Sequence, residues 1–165
     1  MAKEIERKFL VSGTSWRPLA DAGVSIRQGY LVAADDRSLR VRTYGDGRAC
    51  LTLKIGHTAL ARDEYEFDID PQIAEEMLSQ AIGTVITKVR YEVEQQEFTW
   101  EIDVYDGRYS GLVIAEVELE SEADLPAIPD WVGREVTGDD RYSNQALALS
   151  EGPIEFPDEP HHQSG

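Results

Sequence analysis

Residues 1–11 read MAKEIERKFLV, and the alternation within them decides how the rest of the chain folds. Read as a β-strand, the stretch puts Glu4, Glu6 and Lys8 on one face, because successive strand side chains point to opposite sides. Ile5, Arg7, Phe9 and Val11 take the other face. Two like charges one pleat repeat apart repel unless something offsets them. A hard Mg²⁺ or Mn²⁺ ion offsets them well, since it prefers carboxylate oxygen and commonly takes substrate phosphates as further ligands. One such strand is usually no more than the wet side of an antiparallel sheet. Recurrence is what gives the pattern weight.

The scheme returns along the chain. Residues 24–32 form a strand containing RQGYL, in which Gly29 marks a bulge that would re-aim Arg27 or Tyr30. Residues 38–44 set Leu39, Val41 and Thr43 against Arg40 and Arg42. A Gly-Asp-Gly turn then leads to residues 48–55, where Leu51, Leu53 and Ile55 oppose Thr52 and Lys54. Residues 63–69 set Tyr65, Phe67 and Ile69 against Glu64, Glu66 and Asp68. Asp70 caps a helix with Pro71 at its first position, Ile73, Met77, Leu78, Ala81 and Ile82 as its apolar stripe, and Gly83 as its stop. In the strand over residues 84–94, Lys88 and Arg90 share a face. In residues 97–105, Phe98, Trp100, Ile102 and Val104 oppose Glu101 and Asp103, and in residues 112–120 the acids are Glu116, Glu118 and Glu120.

Eight strands result, with one helix between the fifth and sixth and a short one, NQALALS, capped by Ser143. Short turns join most neighbours, so the sheet is antiparallel. The predicted fold class is α+β, mainly β: an eight-stranded antiparallel closed β-barrel, or tunnel, with a few peripheral helices. The charges decide which face looks inward. They arrive in blocks of one sign: acids at Glu4 and Glu6, bases at Arg40, Arg42 and Lys54, acids at Glu64 and Glu66, bases at Lys88 and Arg90, then acids again at Glu101, Asp103, Glu116 and Glu118. A solvated face gains nothing from such sorting, whereas a lumen binding a metal–polyphosphate complex does. There bases neutralise phosphate oxygens while carboxylates hold the cation, and each set limits the other's cost of confinement. The outward apolar rows then need cover from helices, loops or a second subunit, so a homodimer is one arrangement the pattern allows.

At 165 residues the chain is long enough for one domain with a real core. A net charge of −16 disfavours nucleic acid and anionic membranes as partners and calls for a local basic pocket if phosphate is bound. Cys50 is the only cysteine, there is no secretory apolar run at the start, and no stretch approaches the ~20 apolar residues of a membrane span, so a cytoplasmic protein is expected. Cys50 itself reads as a small core residue. Trp131 reads as an anchor in the Pro- and acid-rich residues 121–138. The domain is expected to end near residue 150, leaving residues 151–165, with His161 and His162, as an acidic mobile tail.

EIERKFLV, RQGYL, LRVR, LTLK, EYEF, KVRY, EIDVY, AEVELE and RYSNQALAL, taken in that order, resemble the CYTH domain, the triphosphate tunnel metalloenzymes, in its short bacterial single-domain form. The resemblance implies a tunnel that takes triphosphate-bearing substrates with Mg²⁺ or Mn²⁺. By motif, Glu4, Glu6, Glu116 and Glu118 become metal ligands, Asp103 joins that acidic set, and Glu64 and Glu66 serve a second ion. Lys8, Arg27, Arg40, Arg42, Lys54, Lys88 and Arg90 become phosphate ligands. The expected reaction is attack of water on a terminal phosphorus of inorganic triphosphate, with pyrophosphate leaving; Lys88 stabilises or protonates the leaving oxygen, Tyr30 either positions substrate or packs in the core, and Glu6 serves catalysis through the metal. Family members often carry a Lys where Asp140 stands here, and Arg141 is the substitute base. A class IV-type adenylyl cyclase, a thiamine or nucleoside triphosphatase, and a non-catalytic polyphosphate-binding module are the competing readings.

Overall fold

The computed structural model describes residues 2–56, 61–121 and 123–150, of which 2–4 and 61 are described by backbone alone. The chain runs through β1 (Ala2–Val11), β2 (Val24–Ala33), β3 (Arg37–Tyr44), β4 (Ala49–Gly56), β5 (Ala61–Asp68), α1 (Pro71–Leu78), β6 (Ile82–Gln95), β7 (Phe98–Tyr105), β8 (Val113–Glu118), β9 (Val132–Glu135) and α2 (Asn144–Leu149). The strands make one antiparallel sheet in the order β5-β4-β3-β2-β6-β7-β8-β1-β9. The first strand organises it. Residues 2–5 of β1 pair with β5, Ala2 opposite Glu64 and Ile5 opposite Ala61, while residues 6–10 pair with β8, Glu6 opposite Glu118 and Leu10 opposite Ile114.

The sheet has nine strands where the sequence suggested eight. The added strand, β9, lies against the end of β1, with Val11 opposite Val132, and its four residues are too few to show an alternating pattern. It is held in place by its flanks: Ser12 N donates to Trp131 O at 2.8 Å, and Val136 N donates to Lys8 O at 2.8 Å.

Much of the outward apolar surface is covered from within the chain, while Phe67 on β5 stays 57% exposed. Trp100, on β7, has its ring centroid 5.6 Å from those of both Phe9 and Trp131, and Trp16 joins the same cluster from the connection after β1. Burying each of these large side chains is worth roughly 1.5–3 kcal/mol relative to exposure. Helix α2 covers a second cluster with Leu147 and Ala148, and α1 covers a third with Ala74 and Leu78. Asp70 caps α1 as expected, its carboxylate accepting from Gln72 N at 2.7 Å.

The helix is shorter than its apolar stripe suggested. It ends at Leu78, Ile73 stays 47% exposed, and Ile82 and Gly83 already belong to β6. Gly83 serves another purpose: its φ is +68°, and a Cβ there would come within 2.1 Å of the Ala148 carbonyl, so glycine is what lets α2 pack onto β6. Gly29 similarly lets the end of α1 approach, since a Cβ there would meet Ala81 Cβ at 2.7 Å. The β2–β6 register does shift between Gln28 and Tyr30, as the RQGYL glycine suggested. Among the described residues, no helix is long and apolar enough to cross a membrane. The acidic tail with His161 and His162, and residues 57–60 of the connection between β4 and β5, lie outside the described residues.

Candidate active site

A cavity of about 310 Å³ opens on the polar face of the strands. Strand alternation fills it. β1 contributes Glu6 and Lys8, β3 Arg40 and Arg42, β4 Lys54, β5 Glu64 and Glu66, β6 Arg90, and β8 Glu116 and Glu118, while Tyr30 reaches it from β2. Eleven side chains singled out from the sequence therefore line one space. Arg40 and Arg42 are 7% and 5% exposed, and burial of a guanidinium is costly where a donor lacks an acceptor, as Arg40 Nε does among the described residues.

Four other candidates are placed elsewhere. Arg27 points to the opposite face of β2, where Glu75 of α1 holds it at 2.8 Å. It is three residues from Tyr30, and the bulge at Gly29 does not bring it round. Arg141 is bound to Asp139 at 2.7 Å, half exposed and away from the cavity wall. Lys88 and Asp103 lie beneath the wall, 0% and 1% exposed. The side chain of Glu4 is outside the described part; its backbone pairs with Arg62.

Asp103 is thus a structural counter-ion where the sequence suggested a metal ligand. Lys88 Nζ donates to Asp103 Oδ2 at 2.6 Å, and Arg90 donates to both oxygens at 2.8 Å. From there the network reaches the cavity: Arg90 lies 3.4 Å from Glu101 and 3.6 Å from Glu116, and Lys8 lies 3.8 Å from Glu116. Burial alone would raise the Asp103 carboxyl, but Arg90 and Lys88 hold it far below the usual carboxylate range. Burial likewise opposes charge on Glu116, yet Lys8 and Arg90 pull it down to about 2. Arg90 stays charged because contact with Asp103, Glu101 and Glu116 outweighs burial. Glu101 is raised, mainly by burial, with Arg90 opposing.

Lys88 is the most deeply buried cation of this group. Burial, helped by Arg90 and Arg42, brings its ammonium from the usual 10.5 to about 7 against the attraction of Asp103. Between those values the unfolded chain binds a proton that the folded chain does not, so this group makes stability rise with pH from about 7 to 10.5. Denaturant midpoints of the parent and Lys88→Met measured from pH ~6.5 to ~9.5 are expected to show the parent gaining on the variant as pH rises. A constant difference would contradict the assignment.

Arg62 has no place in the sequence reading, and Glu101 appears there as an inward acid with no assigned role. Arg62 lines the space beside Glu64 and Glu66, two residues apart along β5; the alternation would have found it had the strand been started at Ala61. Glu101 lines it from β7, exchanging roles with Asp103 two residues on. Cys50 is buried, with Sγ 3.8 Å from Glu66, and burial and that carboxylate push its thiol up, consistent with a core residue.

The donor set fits a hard divalent cation. Glu6 and Glu118 are direct cross-strand partners and both face the cavity, an arrangement of like charges that a bound cation stabilises. Among the described residues no three acidic, histidine or cysteine side chains gather into a ready-made cluster. That suits an ion of the Mg²⁺ kind, which takes one or two carboxylates from the protein and the remainder of its oxygens from phosphates and water.

The CYTH domain model matches residues 2–145. An inorganic triphosphatase of Acetivibrio thermocellus is 47% identical over 148 residues, spanning 89% of this chain and 94% of its own length. An inorganic triphosphatase of Nitrosomonas europaea is 41% identical over 151 residues, spanning 89% and 97%. The crystal structure of the inorganic triphosphatase NE1496 superposes with a TM-score of 0.64 at 39% identity, covering 93% of this chain and 99% of the other.

Proposed function

Because the chain belongs to the CYTH domain family, we propose that it hydrolyses inorganic triphosphate to pyrophosphate and phosphate with a divalent cation as cofactor. The observation that carries this reading is the convergence on one cavity of bases from β3, β4 and β6, acids from β7 and β8, and both kinds from β1 and β5. The pairing of β1 with both β8 and β5 supports reading β1–β8 as a tunnel around it.

In this reading the bases hold the phosphate chain. Lys8, Arg40, Arg42, Lys54, Arg62 and Arg90 face the cavity, and an arginine grips two phosphate oxygens at once. Glu6 and Glu118, direct cross-strand partners, would hold the cation with Glu116 beside them, and Glu64 and Glu66 would be available to a second. The ion, Mg²⁺ or Mn²⁺, would neutralise phosphate oxygens and orient the reacting groups. Arg90, fixed by Asp103, presents its charge where the leaving pyrophosphate develops its own, and this preorganisation is favourable in a site shielded from water. Lys88 then acts through Asp103 as a positioning residue, because its Nζ is held 2.6 Å from that carboxylate and is not at the wall. Tyr30, 5% exposed with its side chain in the lining, positions the substrate.

The test is a comparison of triphosphate, ATP and thiamine triphosphate with Mg²⁺ or Mn²⁺, following phosphate, pyrophosphate and cyclic AMP. The expected result is the highest kcat/KM for inorganic triphosphate and no cyclic AMP. Turnover of ATP to cyclic AMP would favour a cyclase, and binding of every substrate without turnover would favour a non-catalytic module.

A further inference from the structure

The RQGYL stretch holds one buried polar residue that the mechanism above does not use. Gln28 is 0% exposed and sits directly across from Arg42 on the neighbouring strand. Its Oε1 accepts from Arg42 Nε at 2.8 Å and from Arg42 Nη2 at 2.5 Å, so a single carbonyl oxygen bridges two N–H groups of the guanidinium. Its Nε2 has no hydrogen-bond partner among the described residues. No carboxylate there is in ion-pair contact with Arg42, whose other partner is the Tyr44 hydroxyl at 3.4 Å. Three other bases of the site pair with carboxylates, Arg90 with Asp103, Lys8 with Glu116 and Lys54 with Glu64, while Arg40 donates to the Thr52 hydroxyl at 3.2 Å.

A glutamate at position 28 would satisfy every local criterion better. It would accept the same two N–H groups more strongly, leave no orphaned amide, and relieve the crowding of Arg42 by Arg40 and Arg90, which together with burial lowers the Arg42 pKa. A residue that breaks a local rule without local compensation marks a functional constraint. The constraint here is charge.

We propose that Gln28 is a positioning residue for the bound polyphosphate: a neutral acceptor that fixes the Arg42 guanidinium at the cavity wall while leaving its charge to the ligand. The inference rests on the triphosphate reading and adds which base carries uncompensated charge and why.

The test is calorimetric titration of inorganic triphosphate into the full chain with EDTA present, for the parent, Gln28→Glu, Gln28→Met and Arg42→Gln. Gln28→Glu, which cancels the charge and keeps the grip, is expected to weaken binding at least about tenfold, the scale of one charge-assisted hydrogen bond. Gln28→Met, which removes the grip and keeps the charge, is expected to weaken it less. Arg42→Gln removes the same charge by another route and is expected to match Gln28→Glu, so the proposal stays testable if Gln28→Glu fails to fold. With Mg²⁺ present, Gln28→Glu is expected to raise KM by the same factor with kcat within about threefold. Parent-like binding by Gln28→Glu or by Arg42→Gln, or a loss in Gln28→Met as large as in Gln28→Glu, overturns the proposal. A parent that binds triphosphate without hydrolysing it sinks the hydrolase reading and leaves the role of Gln28 standing. A parent that does not bind triphosphate sinks both.

Discussion

Replacing Asp103 with alanine is expected to lower the unfolding free energy by about 3–5 kcal/mol, the cost of breaking a buried ion pair from one side. The carboxylate is shared: Lys88 and Arg90 both donate to it, and Lys88, 0% exposed, cannot retreat to water. Removing it leaves two confined cations beside Arg42, which already repels Lys88. For a domain of this size the loss corresponds to a fall in Tm of roughly 6–20 °C. Asp103→Asn keeps the volume and one acceptor and is expected to lose less. Activity should fall with it, because Arg90 depends on both Asp103 oxygens for its orientation. A thermal midpoint for Asp103→Ala within a degree or two of the parent would show that Asp103 is not the shared counter-ion.

Glu6→Gln is expected to abolish most turnover with a far smaller effect on stability than Asp103→Ala. Glu6 faces Glu118 across the β1–β8 pair, and the change keeps the size of the side chain while removing one of two like charges. The same change deletes a ligand charge from the proposed cation site. Metal coordination is worth several kcal/mol of transition-state charge stabilisation, so a loss on the order of 100-fold or more in kcat is expected at saturating Mg²⁺. Phosphate release across a Mg²⁺ titration, with Tm measured alongside, checks both halves. Full turnover at saturating metal would remove Glu6 from the site.

The inward-facing charges were legible because strand alternation has a period of two residues, and a one-residue error would move every side chain to the other face. Arg40 with Arg42, Glu64 with Glu66 and Glu116 with Glu118 all follow from that rule. What the rule does not carry is depth along the strand. Glu101 and Asp103 share a face, yet Glu101 meets the cavity and Asp103 lies beneath it, because Lys88 and Arg90 on the paired strand draw Asp103 in. Partner choice between elements was equally hidden: Arg27 is drawn to Glu75 of α1, an exposed contact with no periodic signature. The strand β9 escaped because it is defined by its pairing to β1 and not by its own pattern. Gln28 escaped for a plainer reason, being a neutral residue between two that looked chemical.

The central claim is that the sorted charges on the polar face form one site that splits the triphosphate chain at a terminal phosphorus. A phosphorus NMR time course of inorganic triphosphate with the protein and Mg²⁺ tests it most directly. Pyrophosphate and phosphate appearing in equal amounts, and not before metal is added, is the predicted result. Triphosphate that persists unchanged with Mg²⁺ and with Mn²⁺, or that yields phosphate without pyrophosphate from the first turnovers, would contradict it.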